Sequence, residues 1–238
     1  MQRVLITGAG RGIGLELARH YAARGDRVLA GCRDIERAPG LRALIDQQRE
    51  SVSVLALEVT DAASLAAAVR QAHGEVEGLD VLINNAAGNP GDTTVAGPDG
   101  QQLLDDTRTL EVLNINVVAP VRVAQAFTAL LTQGTAPRVV NISSGSGSLT
   151  YATHPGEYSY AASKAALNMM TRTYAWNVRE QGITAVMIDP GWVKTDMGGA
   201  DADLAPEESA RGLLRVIDGL TPDDAGRFLR YDGSEAPW

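Results

Sequence analysis

The turn Tyr160-Ala161-Ala162-Ser163-Lys164 sets a phenol and an ammonium four residues apart, on one face of any helix that carries them. A phenol titrates near pH ~10, too high for proton exchange at neutral pH, and a neighbouring ammonium is expected to stabilise the phenolate and lower that value. A phenol tuned in this way serves as a general acid or base. Such a pair also arises by chance on amphipathic helices, but two features single this one out. None of the other tyrosines, at 21, 151, 158, 174 and 231, has a lysine four residues on. Of the 21 basic residues only Lys164 and Lys194 are lysines, so this position takes a compact ammonium where the chain otherwise uses arginine.

The elements that must position this pair read as alternating strands and helices. Val4 to Thr7 is a short buried strand, and the glycine turn Thr7-Gly8-Ala9-Gly10-Arg11-Gly12-Ile13-Gly14 runs from it into a helical pattern through Leu15, Leu17, Ala18 and Tyr21. In that context the glycines allow close approach of the backbone to a pyrophosphate, and the helix start offers free N–H groups. Further strands are expected at 27–32, 51–57, 79–83, 138–142, 183–188 and 227–231, with helices from Asp61 to about Val76, from Leu110 to Leu131 with a break near Pro120, from before Tyr160 to Glu180, and from Glu207 to Asp218. This alternation predicts an α/β single-domain doubly wound parallel sheet, a Rossmann fold with helices on both faces. The polar stretch from Asn89 to Thr109 has no clear pattern.

Candidate binding groups fall just past the strand ends. Arg33 and Asp34 follow the second strand: Arg33 is read as facing the adenosine ribose and Asp34 as a helix cap, which favours NADP over NAD, with Arg11 available as a second cation. Asn84-Asn85-Ala86-Ala87-Gly88 follows the fourth strand, and Ser144 opens a Ser/Gly run sixteen residues before Tyr160, close enough for a loop to return its hydroxyl to the phenol. Trp192 and Met197 are apolar groups in a loop, suited to a pocket wall or to packing beneath it.

Bulk properties narrow the class. With 238 residues, 45% hydrophobic content and 25 glycines, the chain fits one globular domain over 1–238. A net charge of −8 argues against nucleic acid and anionic membranes as partners. Cys32 is the lone cysteine, so no internal disulfide forms, and with no room for a signal peptide before Val4 the expected location is cytoplasmic. His20, His73 and His154 lack metal-ligand spacing, so no metal is expected.

Together, Thr7 to Gly14, Asn84 to Gly88, Asn116, Ser144, Tyr160 to Lys164 and Pro190-Gly191 resemble, in order and spacing, the short-chain dehydrogenase/reductases. Residues 190–199 and 226–238 are similar, more narrowly, to the C-factor and Sniffer branch, which includes NADP-dependent carbonyl reductases. The resemblance implies Tyr160 as acid/base, Lys164 as its partner and a ribose ligand, Ser144 as the carbonyl-orienting hydroxyl, and Asn116 as holder of a relay water. It implies a cofactor bound along the glycine turn by Gly8, Gly10, Arg11, Gly12, Ile13 and Gly14. Beyond the turn, it implies contacts from Arg33, Glu58 and Val59, from Asn85 and Ala86, and from Pro190, Gly191, Val193 and Thr195, with Thr195 on the carboxamide. Three positions depart from the pattern: Ala87 replaces a glycine, Glu58 an aspartate, and the stretch from Gly145 to Ser159 is long. The implied activity is NADP(H)-dependent interconversion of a carbonyl and a secondary alcohol, in a homodimer or homotetramer. The competing expectation is a nucleotide-binding sensor or signalling protein with little turnover.

Overall fold

The computed structural model describes residues 1–89, 94–97, 102–153 and 157–238. Among them, β1 (Arg3–Thr7), β2 (Arg27–Cys32), β3 (Val52–Ala56) and β4 (Val81–Asn84) alternate with α1 (Gly12–Ala23), α2 (Pro39–Gln47) and α3 (Ala62–Glu75). A short antiparallel pair follows, β5 (Thr94–Ala96) with β6 (Gln102–Leu104), inside the stretch that shows no pattern in the sequence. Then come α4 (Asp106–Leu113), a π-helical turn (Asn114–Val118), α5 (Ala119–Ala126), α6 (Thr128–Leu131), β7 (Arg138–Ile142), α7 (Tyr158–Val178), β8 (Thr184–Asp189), α8 (Pro206–Gly219) and β9 (Phe228–Arg230).

Seven strands form one parallel sheet in the order β3-β2-β1-β4-β7-β8-β9. Alternate residues of each strand feed opposite cores, as the two-residue period requires. Val4 and Ile6 join α1, α2 and α8 through Leu17, Tyr21, Leu41, Leu213 and Ile217. Leu5 joins α3, α5, α6 and α7 through Leu65, Val123, Leu130 and Tyr174. Both faces are covered, which is why these strands read as continuous apolar runs. The chain turns outward in opposite directions from β1 and β4, and that switch point opens a crevice at their carboxyl ends.

The break in the long helix lies earlier than Pro120 suggests. Proline is harmless at a first helical turn, and Pro120 starts α5, whereas the widened turn at Asn114–Val118 carries the irregularity.

At the opposite edge of the sheet, the buried Asp80 carboxylate accepts from Arg3 N (2.7 Å), Arg3 Nε (3.0 Å), Arg3 Nη2 (2.8 Å) and Thr135 N (2.6 Å). Burial pushes its carboxyl up, but these donors outweigh burial and hold it below the ordinary value. Asp80→Ala leaves Arg3 and the Thr135 amide without their acceptor, and is expected to cost about 3 kcal/mol of stability. Because the folded value is depressed, the contribution is complete above pH ~4 and fades as acid protonates the folded carboxylate. Urea titrations at pH 7 and pH 3 check both statements, since the gap between wild type and variant must narrow in acid.

Candidate active site

The residues proposed for the cofactor and the reaction lie at the carboxyl edge of the sheet, in loops that follow β1, β2, β3, β4, β7 and β8 or on the helices beside them. The glycine turn is built for close packing. Gly8 has φ +67°, and a Cβ there would sit 2.9 Å from Ala86 Cα; a Cβ on Gly14 would meet Gly8 O at 2.5 Å. The turn is held by the strand next door: Asn85 Nδ2 donates to Thr7 O (3.0 Å) and Gly8 O (3.1 Å), and Thr7 Oγ1 accepts from Asn85 N and Ala86 N, both at 3.0 Å. Asn85 and Ala86 therefore act by fixing the turn.

The start of α1 differs from those of α3 and α4. Asp61 and Asp105 cap α3 and α4 through their side chains, whereas Arg11 gives α1 no side-chain cap and the first turn carries no acid. The opening N–H groups beside Gly12, Ile13 and Gly14 thus remain available to an anion. The two cations expected to act together are apart in their bonding. Arg11 Nη1 donates to Asp196 Oδ2 at 2.6 Å, across the crevice to the loop after β8, while Arg33 Nη1 donates to Glu58 Oε2 at 3.3 Å. Asp34 caps the short turn Ile35–Arg37 by accepting from Glu36 N at 3.0 Å, as expected. The longer Glu58 side chain explains its departure from the aspartate pattern: Oε1 accepts from Thr60 N and Oγ1 while Oε2 reaches Arg33. Burial pushes Glu58 up, and the bonds from Thr60 and Arg33 outweigh it to hold it below the usual value. Val59 buries its side chain in the core beside Leu65.

After β8, Pro190 O accepts from Ser209 Oγ at 2.7 Å, and Gly191 packs against Leu204 and Tyr231. Val193 bridges to Leu204, and Lys194 N donates to Leu204 O, closing residues 193–204 into a compact loop. Thr195 lies over the glycine turn, its Cγ2 3.2 Å from where a Gly12 Cβ would be. Trp192 and Met197 are 53% and 45% exposed, so they do not pack beneath the loop.

The π turn sets Asn116 at the centre of the site. Its amide exchanges two 2.8 Å bonds with Gly88, accepting from Gly88 N and donating to Gly88 O, and also donates to Ser163 Oγ at 3.0 Å. Ser163 Oγ donates to Tyr160 O at 2.7 Å. The side chain thus joins the loop after β4 to the turn bearing Tyr160. A Cβ on Gly88 would lie 3.1 Å from Ile115 Cγ2, so the glycine permits this close approach.

Lys164 is 2% exposed, and its Nζ donates to Ile142 O at 2.9 Å and sits 5.6 Å from the centre of the Tyr160 ring. With no carboxylate bonded to it, burial alone pulls the ammonium down to about 8. Tyr160 departs from expectation. Burial holds its phenol above the ordinary value; a hydrogen bond with Ser144 opposes this, and the charges of Asp189 and Glu157 add to it. Ser144 is the group that opposes burial and eases ionisation of the phenol. Ser144 Oγ also accepts from Ser146 N at 3.1 Å, which fixes the hydroxyl at the mouth of its loop.

Sequence reasoning missed Ser163, Thr7 and Asp189. A serine between the tyrosine and the lysine looks like any surface helix residue until the fold brings Asn116 to it. Thr7 ends a strand, and its role depends on which strand lies alongside.

The family model for short chain dehydrogenase matches residues 2–204. The chain belongs to that family. It is 45% identical to C-signal of Myxococcus xanthus over 160 residues, covering 67% of this chain and 93% of that protein. The NADPH-bound carbonyl reductase from chicken fatty liver superposes with a TM-score of 0.89 at 36% identity, covering 100% of this chain and 99% of that one. Carbonyl reductase Sniffer of D. melanogaster superposes with a TM-score of 0.90 at 30% identity, covering both chains fully. A short-chain dehydrogenase thus explains both the glycine crevice at the switch point and the tyrosine beside it. Among the described residues no helix is long and apolar enough to cross a membrane.

Proposed function

We propose that this short-chain dehydrogenase is an NADP(H)-dependent oxidoreductase that interconverts a carbonyl and a secondary alcohol, with Tyr160 as general acid/base. The observation that carries the reading is the convergence of the Ser144 hydroxyl, the Tyr160 phenol and the buried Lys164 ammonium, at the same carboxyl edge of the sheet as the uncapped start of α1. A pure nucleotide sensor has no use for such a set, and the likeness to NADPH-bound carbonyl reductase supports turnover.

The chain fits a dinucleotide. The free N–H groups at the start of α1 would take the pyrophosphate, Lys164 the nicotinamide ribose, and Arg33 the adenosine phosphate, with Thr195 and Val193 at the nicotinamide end. When bound, the cofactor supplies or accepts hydride at the carbonyl carbon. Tyr160 gives its proton to the carbonyl oxygen in reduction and takes it back in oxidation. The raised phenol is well suited to the acid role, because it stays protonated at neutral pH until a negative oxygen forms. Ser144 donates to the same oxygen, and Asn116 keeps the Tyr160 turn in register with the loop after β4.

NADPH consumption with a panel of ketones, aldehydes and quinones tests the reading. Saturable oxidation above the substrate-free rate supports it, whereas tight NADPH binding without consumption favours the sensor. Arg33→Ala is expected to raise the KM for NADPH about tenfold or more while leaving NADH nearly unchanged, since it removes one charge-assisted bond to the 2′-phosphate. Parallel kinetics with the two cofactors measure this. The proposal extends to the cytoplasm and to a homodimer or homotetramer; the exposed Leu110, Met169 and Trp176 on α4 and α7 support the latter, with light scattering as the check.

A further inference from the structure

We propose that Trp238 is a positioning residue for substrate: together with Arg230, it holds the segment Leu149–Tyr151 as one wall of the site. The proposal rests on the reading of Ser144 and Tyr160 as the centre where the carbonyl is reduced.

The loop after β7 carries Ser144 and then needs two anchors. The first is local. The turn Gly145–Gly147 packs directly on α7, where a Cβ at Gly147 would lie 2.8 Å from Lys164 C, and Asn168 Nδ2 reaches Gly147 O at 3.5 Å. The second anchor comes from 88 residues away in sequence. Thr150 N and Thr150 Oγ1 both donate to Trp238 O, at 2.9 and 2.6 Å. One oxygen thus takes both donors of one residue, and its own position is fixed by the Trp238 ring, which packs 6.0 Å from Phe228 and lies under the Arg172 guanidinium at 4.8 Å. The chain reaches this point by folding back along β9, where Arg230 N donates to Ser234 O and Ala236 N to Phe228 O. The Arg230 guanidinium lies close enough to Tyr151 for the two side chains to interact electrostatically; burial pulls Arg230 down, yet it is raised above its ordinary value with Tyr151 and Asp189 contributing.

What the clamp holds bears on the chemistry. The Tyr151 ring lies 3.8 Å from where a Gly145 Cβ would be, next to the residue that bonds the Tyr160 phenol. Leu149 and Tyr151 are 79% and 46% exposed, so their own burial does little to fix them. The exposed Tyr151 ring at the rim of the reaction centre, with Leu149 two residues before it on a segment fixed from behind by a distant aromatic residue, gives a preset surface for the apolar part of a carbonyl substrate. The glycine turn, by contrast, has its own supports in Thr7 and Asn85, so cofactor binding is independent of the clamp.

The test uses Trp238→Ala with 9,10-phenanthrenequinone as the probe, and four readouts: quinone KM, kcat, NADPH Kd, and amide exchange of residues 149–153. The expected result is a quinone KM raised fivefold or more, kcat and NADPH Kd within twofold of wild type, and exchange at Thr150 at least tenfold faster. Trp238→Phe keeps a ring for Phe228 and Arg172 and should recover most of the KM. If the alanine variant fails to fold, Thr150→Val, which removes one of the two donors, is to raise KM by about threefold with kcat unchanged. Unaltered KM and exchange in these variants overturn the proposal, as does an equal loss in KM and NADPH affinity. Wild-type protein that binds NADPH but reduces no carbonyl overturns the underlying activity instead, a result separable from unaltered exchange in the variant.

Discussion

Tyr160→Phe is expected to lower carbonyl turnover at least a thousandfold, within the range of about 10² to 10⁴ that a positioned general acid contributes. The substitution removes one oxygen and keeps the ring, so the Lys164 ammonium beside its face and the Asn116–Ser163–Tyr160 backbone link stay in place. NADPH affinity should therefore change by less than twofold, and this asymmetry is the informative part of the result. Single-turnover kinetics together with NADPH fluorescence titration measure both quantities. A variant that keeps more than a tenth of the wild-type rate would show that the proton comes from elsewhere, with Ser144 the first hydroxyl to test.

Lys164→Met is expected to produce the opposite signs in stability and in activity. Burial lowers this ammonium from 10.5 to about 8, so holding it charged at pH 7 costs about 3 kcal/mol. Its bond to Ile142 O returns about 1 kcal/mol, leaving a net cost near 2. Methionine fills a similar volume without charge, and the variant should be more stable at pH 7 by roughly that amount while losing at least a hundredfold in turnover. The pH dependence has a definite sign. The folded chain releases the Lys164 proton near pH 8 and the unfolded chain near 10.5, so between those values the unfolded state binds more protons and wild-type stability rises with pH. The advantage of the variant must shrink over that window, and reductive turnover of the wild type must fall above pH ~8 as the ammonium is lost. Denaturant unfolding from pH 6 to 10 decides the matter; a methionine variant less stable at pH 7 means that the lysine is held by compensations not captured in its bond to Ile142.

Much of this site can be read from the sequence because its parts obey local rules. Strand, glycine turn and helix have a fixed order, Tyr160 and Lys164 share a face by helical geometry, and the apolar runs of β1, β4, β7 and β8 announce strands covered on both sides. What escaped depends on neighbours that only the fold supplies. Asn116 reads as a poor helix former; the structure makes its amide the tie between Gly88 and Ser163, inside a π turn with no sequence signature of its own. The ionisation of Tyr160 escaped for a related reason. Spacing predicts the nearness of Lys164, whereas the burial that raises the phenol is a property of the assembled site. The acidic partners of Arg11 and Arg33, Asp196 and Glu58, also come from loops that the sequence does not show to be adjacent. The expectations at 90–93, 98–101 and 154–156, His154 among them, lie outside the described residues.

The last strand of the sheet has only three residues, and its outer side is already taken: the segment from Ser234 to Ala236 lies antiparallel along it, with Leu229 facing Glu235. A bare rim of peptide groups would invite another chain to add a strand and seed aggregation. Here the protein supplies its own border, so copies meeting at that end must do so through side chains of helices and loops rather than by extending the ladder from molecule to molecule.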